Sequence, residues 1–401
     1  MRISTNTIFE KGATRLGEAQ ASLSKTQEQI ATGRRILTPA DDPVAAAQAL
    51  ELTQSQSINS QFAVNRKNVK NSLGIEEATL QGVTSLIQDV QTMAVNAGSG
   101  VLDNEQRSYL ATELSQRLDE LVGLANTRDG AGNYVFSGFS TATQPFARTS
   151  AGASYAGDQG ARMLQVGPSR QMAMSDSGSA IFQSIKTGNG TTVTSAASTN
   201  SGSGIISNAT LVGASTGDEY AIVFTSATQF TINNVTTNTT VSTGNNYVSG
   251  QAITVGEYQL TITGSPSATA PADTFSVKPS DNQDLFATLT NLIGVLNGST
   301  SGSAGQAKLT NGLNTALNNL GNALDNVLTV RASVGARLKE LDSLDSQGDD
   351  RDIQYAQSLQ QLQDLDYTKA ITDLTKQQTM LQAAQQAFVK TANLSLFSYL
   401  Q

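Results

Sequence analysis

The residues of this 401-residue chain that could do chemistry are its acidic side chains, because the sequence contains neither histidine nor cysteine. That composition excludes Ser–His–acid triads, Cys–His pairs, disulfides and metal sites built from thiolate or imidazole ligands. Carboxylates could still act as a general acid–base pair or hold Ca²⁺. An enzyme or a metal site in this chain would therefore have to rest on its acidic residues.

The carboxylates Asp41 and Asp42 are adjacent in the sequence and could form a paired-carboxylate site. Pro43 follows them directly, and proline is favoured in the first turn of a helix, where its missing N–H costs nothing. We therefore interpret Asp42 as a helix cap rather than as half of a catalytic dyad. For the nearby Arg34 and Arg35, contact with an acidic partner and a solvated helix end both remain open.

The remaining candidate acids lie in a segment rich in Thr, Val, Gly and Asn. They are Asp218, Glu219, Glu257 and Asp273, and they lack the alternating spacing of a Ca²⁺ loop. The Asn-x-Thr triplets at Asn208, Asn234 and Asn238 follow from composition alone. No glycine-rich stretch has the lysine of a phosphate loop. We therefore expect no enzyme, no catalytic residue, no cofactor and no metal.

Charge and hydropathy exclude two further classes of partner. The formal net charge is −8 and the isoelectric point is about 4.7, so the chain is not suited to bind nucleic acid. The sequence has no run of about 18 apolar residues, so no membrane span is predicted. The start of the chain, residues 1–9, is too polar for a signal peptide. Secretion would thus need a route without a cleaved signal.

The two ends of the chain share one pattern, in which a large apolar residue recurs every seven positions and a small residue usually lies three positions later. The large residues are Phe9, Leu16, Leu23, Ile30 and Leu37 at one end and Tyr367, Leu374, Leu381 and Phe388 at the other. This spacing is typical of a thin coiled-coil seam. We predict that these residues, together with Leu396 and Phe397, form an assembly interface. Ordinary helical-bundle core is the alternative interpretation.

The order of elements predicts an α+β fold, in which both chain ends build a long α-helical coiled-coil or bundle domain and a central antiparallel β domain is inserted. Gly348-Asp349-Asp350 is predicted to break or kink the helical region, with the last helix starting near Ile353, and residues 187–204 are predicted to be a flexible linker or long loop. The predicted parts are an N-terminal coiled-coil tail (1–40), two halves of a helical rod (41–185 and 284–355), an outer β domain (186–283) and a C-terminal coiled-coil tail (356–401).

Several stretches resemble the flagellin-like axial proteins of bacteria, and are most similar to the hook-associated protein 3 type. They are residues 31–36, 39–43, 132–138, 364–371, 382–388 and 395–400. The resemblance implies a structural subunit at the hook–filament junction that joins hook-associated proteins to flagellin. The alternatives are a flagellin that forms the filament itself, and a secreted adhesin-type β domain on a helical stalk.

The same resemblance implies an extracellular location in the flagellum, reached through the flagellar type III channel without a cleaved signal. It implies an export chaperone at the C-terminal helix, self-association in a ring, and contacts with other axial proteins. A seam with one large residue in seven buries little apolar surface in a monomer. We therefore predict that both tails are mobile in the free subunit and become ordered on assembly.

Overall fold

The computed structural model describes residues 5–397, and within them the side chains of residue 7 and residues 9–390. The chain forms two compact units. We call residues 1–64 and 343–401 the terminal unit, because it combines both chain ends, and residues 65–342 the central unit. Each is described by itself below.

The helices lie at both ends of the sequence. They are α1 Thr5–Thr32, α2 Pro43–Ala97, α3 Asn104–Ala125, α4 Leu285–Leu296, α5 Gly302–Gln363 and α6 Tyr367–Phe397, with a short π-helical turn at Ser179–Gln183. The strands lie between them. They are β1 Phe146–Thr149, β2 Gly152–Tyr155, β3 Met163–Gly167, β4 Arg170–Ala173, β5 Ile185–Lys186, β6 Thr192–Ala196, β7 Ile205–Ile206, β8 Thr210–Leu211, β9 Tyr220–Ser226, β10 Gln229–Asn234, β11 Thr239–Asn246, β12 Ala252–Val255, β13 Tyr258–Thr263, β14 Thr274–Pro279 and β15 Asn282–Gln283. The predicted α+β class, with a β region inserted between helices, is confirmed.

Three expectations about element boundaries are wrong. Helix α1 ends at Thr32, so Leu37 lies in the following loop and not on the helical seam. Helix α5 continues through Gly348 to Gln363, and the last helix starts at Tyr367 rather than near Ile353. A lone glycine costs a helix only about 1 kcal/mol, which packing along such a long helix offsets.

The helical core of the central unit is built by α2, α3, α4 and α5. The residues of α2 that recur every seven positions, Leu73, Leu80, Ile87 and Ala94, are fully buried, and the last three belong to this core. Helix α3 begins with a capping box, in which Asp103 and Gln106 each accept a hydrogen bond from the other's backbone N–H. The stripe at helical spacing on α2 is therefore ordinary core.

The β domain of the central unit has its own core. Five antiparallel strands form one sheet in the order β11-β10-β9-β14-β6, and β12-β13-β7 form a second, with β8 paired to β13. Alternate side chains of β9, β13 and β14 point into this core, as their sequence alternation predicts. Residues 187–204 are not simply a linker, because β6 lies within them and pairs with β14.

A row of asparagines on α5 holds the backbone of the inserted segment. The amide of Asn322 donates to the carbonyls of Lys186 and Gly188, and Asn326 donates to those of Ala180 and Ile181. Three further asparagines of the same helix bond to this segment, namely Asn311, Asn318 and Asn319. Four of the five amides bond to backbone groups and Asn318 bonds to the side chain of Asn208, so this face of α5 holds the inserted segment through hydrogen bonds.

Within the described part of the central unit, one carboxyl group is buried without a cation in direct contact. Glu76 on α2 is fully buried, its Oε1 accepts from the backbone N–H of Asp176 at 3.1 Å, and its Oε2 has no hydrogen-bond partner. Burial, followed by repulsion from the Asp176 carboxylate, raises the pKa of Glu76 to about 8. Arg337, which pairs with Asp176, counteracts only part of this rise.

The buried carboxyl predicts a pH-dependent stability. The folded chain keeps a proton on Glu76 up to about pH 8, whereas the unfolded chain releases it near 4.5. The free energy of unfolding should therefore fall as the pH rises through this window, by up to about 1.4 kcal/mol per pH unit.

Glu76→Gln, which mimics the protonated form, should flatten that slope in urea unfolding measured at pH 5.5, 6.5 and 7.5. Glu113→Gln, an exposed residue of α3, is the control and should leave the slope unchanged. An unaltered slope in Glu76→Gln would contradict the expectation.

Candidate assembly interface of the chain ends

The first and last helices pair antiparallel in the terminal unit. The rings of Phe9 and Phe388 lie 4.6 Å apart between centroids near one end of the pair. In the middle, the Gln377 amide donates to the Ser22 hydroxyl at 3.2 Å. At the other end, the Leu365 N–H donates to the Gly33 carbonyl at 3.0 Å. The two chain ends thus build one helical pair, as their shared pattern predicts.

The predicted interface residues are brought to this pair but are not deeply buried. Those that are half-buried are Leu16, Leu23, Ile30, Leu37, Leu374, Leu381 and Phe388. Phe9 and Tyr367 remain 50% and 52% exposed. The side chains of Leu396 and Phe397 lie outside the described residues. In the subunit alone, the seam therefore leaves much of its apolar surface in contact with water.

The terminal unit contains almost no large buried apolar side chain. Among its described residues, the buried apolar positions are Ala45, Ala49 and Ala370, accompanied by the buried polar residues Thr26 and Asn59. The central unit, in contrast, buries many Leu, Ile, Val and Phe side chains in two clusters. Because burial of large apolar groups is the main favourable term in folding, the terminal unit by itself is weakly stabilised.

Exposed apolar side chains accompany this thin core. On the N-terminal part of α2, Val44 and Leu50 are 68% and 71% exposed, and on α6, Ile371, Met380 and Val389 are all more than half exposed. Single exposed apolar residues are normal on any protein surface. Here they occur in a unit whose buried apolar residues, among those described, are all alanines, so these side chains offer apolar surface to a neighbouring helix.

The helices α2 and α5 meet in the terminal unit through a polar contact. The amide of buried Asn59 donates to the backbone carbonyl of Gly348 at 2.8 Å. Gly348 is buried and lacks a side chain, which leaves its carbonyl accessible to the asparagine. The glycine interpreted as a helix break is thus a contact point inside a continuous helix.

Arg35 joins the loop after α1 to the end of α5. Its backbone N–H donates to the carbonyl of Gln363 at 2.7 Å, and its guanidinium donates to the carbonyl of Leu362 at 2.9 Å and to Asp42 at 3.2 Å. The last carbonyls of a helix lack intrahelical partners, so an arginine there is stabilising. In the subunit alone these partners belong to its own chain, and the Arg35 side chain is 46% exposed.

The adjacent acids Asp41 and Asp42 bond to groups of the loop and of its two flanking helices. Asp42 Oδ1 accepts from the backbone N–H of Ala45 at 3.1 Å and so caps α2, as predicted. Asp41 bonds to Lys25 at 2.5 Å and accepts from the N–H groups of Leu37 and Thr38. The Lys25 hydrogen bond and the Thr38 N–H lower the pKa of Asp41 to about 2. The pKa of Asp42 is lowered as well, chiefly by the N–H of Ala45, so both carboxylates are ionised at neutral pH.

The acids of the β domain also have local hydrogen-bond partners. Asp273 accepts from the N–H groups of Ser201 and Ser267, Glu257 accepts from Thr216 and Tyr220, and Asp218 accepts from Asn234. Within residues 5–397, the acidic residues form no group of three that could hold a metal ion. Over the same residues, no helix combines the length and apolar composition that a membrane crossing requires.

The polar contacts that hold the terminal unit together were not predicted from the sequence. Gln377 and Asn59 are polar residues at positions that a helical pattern assigns to a buried face, and that mismatch was the available signal. Arg35 left no such signal, because its partners Leu362 and Gln363 are backbone carbonyls more than 300 residues away in the chain.

Comparison with known proteins connects this architecture to the bacterial flagellum. A family model described as the bacterial flagellin N-terminal helical region matches residues 3–141. The flagellar hook-associated protein 3 of Escherichia coli (strain K12) is 32% identical over 398 residues, which is 99% of each chain. The protein of the same name from Salmonella typhimurium (strain LT2) is 30% identical over the same share of both chains.

A solved structure of a hook-associated protein 3 also resembles this chain. The crystal structure of the flagellar hook-associated protein-3 from Legionella pneumophila superposes with a TM-score of 0.73 at 27% identity. The match covers 78% of this chain and 98% of the Legionella chain. With relatives that align along almost their whole length and share the helical and β architecture, the chain belongs to the flagellar hook-associated protein 3 family.

Proposed function

We propose that this chain is a structural subunit of the hook–filament junction, where it joins hook-associated proteins to flagellin. The observation that carries the proposal is the terminal unit, which pairs both chain ends yet buries only alanines among its described apolar residues. A unit of this kind gains most of its stability when helices of neighbouring subunits cover its exposed leucines, valines and aromatic rings. A catalytic role is not part of the proposal.

The proposed mechanism couples ordering to assembly. Isolated helices are marginal in water because nucleation is costly. The seam residues Leu16, Leu23 and Leu381 are only half-buried in the subunit, and complete burial of such a side chain contributes about 1.5–3 kcal/mol. The chain ends would thus remain loosely held in the free subunit and become ordered when a layer forms. This keeps free subunits from associating before they reach the hook.

The parts of the chain take different roles in this proposal. Residues 1–40 and 356–401 act as tails inside the axial tube, residues 41–185 and 284–355 as the rod, and residues 186–283 as an outer β domain. The subunits associate in a ring, with other axial proteins above and below. The separate core of the β domain supports an independent outer part, because it does not depend on burial by the tails.

Export precedes assembly in this proposal. The chain leaves the cell through the flagellar type III channel without a cleaved signal, and an export chaperone covers α6 until then. The exposed Ile371, Met380 and Val389 of α6 offer apolar contacts to such a chaperone. The absence of cysteine is compatible with this route, because no disulfide has to form after export.

Loosely held chain ends should be visible in amide hydrogen exchange. In the free subunit, α1 and α6 should exchange faster than α3 and α4, because the latter belong to the buried core of the central unit. On binding to isolated hooks, α1 and α6 should become protected. Equal, strong protection of all four helices in the free subunit would show that the ends are preformed.

Loss of seam leucines should abolish attachment without unfolding the central unit. The double variant Leu16→Ala/Leu381→Ala should weaken co-sedimentation with hooks at least about tenfold, since each leucine would contribute 1 kcal/mol or more to the assembled layer. The matched control is Leu211→Ala/Leu328→Ala, which removes two exposed leucines of the central unit (40% and 43%). Equal attachment by both variants would rule out the seam as the interface.

A junction subunit and a flagellin differ in what they build alone. The purified chain should not grow long filaments under conditions where a flagellin does, and hooks capped with it should nucleate flagellin filaments. Electron microscopy of negatively stained samples distinguishes the two. Long homopolymers of this chain would favour the flagellin alternative, which the full-length similarity to hook-associated protein 3 makes the weaker one.

A further inference from the structure

The large residues of the terminal seam do not by themselves determine how α1 and α6 align. They recur every seven residues on both helices, so sliding one helix by seven residues again places large residues opposite small ones. Register is weakly specified wherever such a pattern repeats without interruption. Some other feature must therefore select the observed alignment.

Both ends of the pair place an aromatic ring against a glycine. A Cβ added at Gly12 would lie 2.9 Å from ring atoms of Phe388, and a Cβ added at Gly33 would lie 2.8 Å from the hydroxyl of Tyr367. Gly33 also has a φ of 70°, in the left-handed region that favours glycine. The two glycines are 21 residues apart, as are the two aromatic residues. Both ring–glycine contacts are therefore present in the same alignment of α1 with α6.

A shift by seven residues would destroy both contacts. Phe388 would then face Thr5 or Ala19, and Tyr367 would face Thr26 or Ala40, all of which carry a Cβ. Forcing extra atoms against a packed ring moves side chains away from their preferred rotamers. Neither shifted alignment offers room for the two rings.

Between the aromatic ends lies one polar contact. Gln377 occupies a seam position where the equivalent residues Ala370 and Ala384 are small, and its amide donates to the Ser22 hydroxyl. Its Oε1 is buried without a hydrogen-bond partner. A polar residue of this kind in a coiled-coil seam specifies register at a cost in stability.

We propose that Gly12 with Phe388, Gly33 with Tyr367 and Ser22 with Gln377 form a register lock, which admits one alignment of α1 with α6 and excludes those shifted by seven residues. The lock determines where the exposed residues of α6 stand relative to α1. In the proposed junction role a neighbouring subunit would then meet one fixed surface. That consequence rests on the proposed function, whereas the lock itself does not.

The alignment can be measured by cross-linking, because the chain has no cysteine of its own. Ala19 and Leu381 each lie about one helical turn from the Ser22–Gln377 contact on their helices, so Ala19→Cys/Leu381→Cys reports the observed register. Ala19→Cys/Leu374→Cys reports the register shifted by seven residues. Both reporters are oxidised in the free full-length chain, and the ratio of the two cross-linked products is compared between backgrounds.

Glycine-to-alanine variants on the same helix supply a matched test. Gly12→Ala should lower the ratio of native to shifted product about fivefold or more, the factor that corresponds to a steric cost of about 1 kcal/mol. Gly17→Ala, whose added Cβ meets no atom within 4 Å, should leave the ratio unchanged. Gly12→Ala/Phe388→Leu should restore it, because the smaller side chain removes the clash.

Equal ratios in the Gly12→Ala and Gly17→Ala backgrounds would overturn the lock, as would a failure of Phe388→Leu to restore the ratio. A general loss of helix pairing would lower both products together, and it would also count against the lock because the ratio would not move. Hook attachment is not part of this readout, so failure of the junction role leaves the cross-linking result interpretable.

Discussion

The antiparallel pairing of the first helix with the last is the contact on which the terminal unit depends. It brings together residues that are more than 350 positions apart in the sequence. The β insertion lies between these two helices in the order of the chain. The pairing is thin, since the described apolar positions buried in the terminal unit are alanines. A stable central unit and a weakly stabilised terminal unit thus coexist in one chain, and the division follows the distribution of large apolar residues.

Small residues in the seam have two consequences that oppose each other. They let the helix backbones approach closely, as at Gly12 and Gly33, where aromatic rings occupy the space of a missing side chain. They also reduce the apolar surface buried within the subunit, which lowers the stability of the pair. Close approach makes the pairing specific, and the small buried core keeps it weak.

Polar contacts take over where apolar burial is limited. Asn59 contacts the backbone of α5, Arg35 connects the loop after α1 with the end of α5, and the asparagines of α5 seat the base of the β domain. Each joins segments far apart in the sequence through directional hydrogen bonds to backbone groups. Such bonds add little net stability individually, but they exclude alternative arrangements, because a buried polar group left unpaired is costly.

The sequence by itself determined the α+β class, the seven-residue pattern at both ends, the cap at Asp42 and the antiparallel β domain. These depend on local periodicity and on contacts within a few residues. Only the tertiary structure decided that Leu37 leaves the helix, that α5 passes through Gly348, that β6 lies in the apparent linker and that Arg35 and Gln377 organise the interface. Their partners are backbone groups and side chains brought close by folding, and no periodicity in the sequence records such contacts.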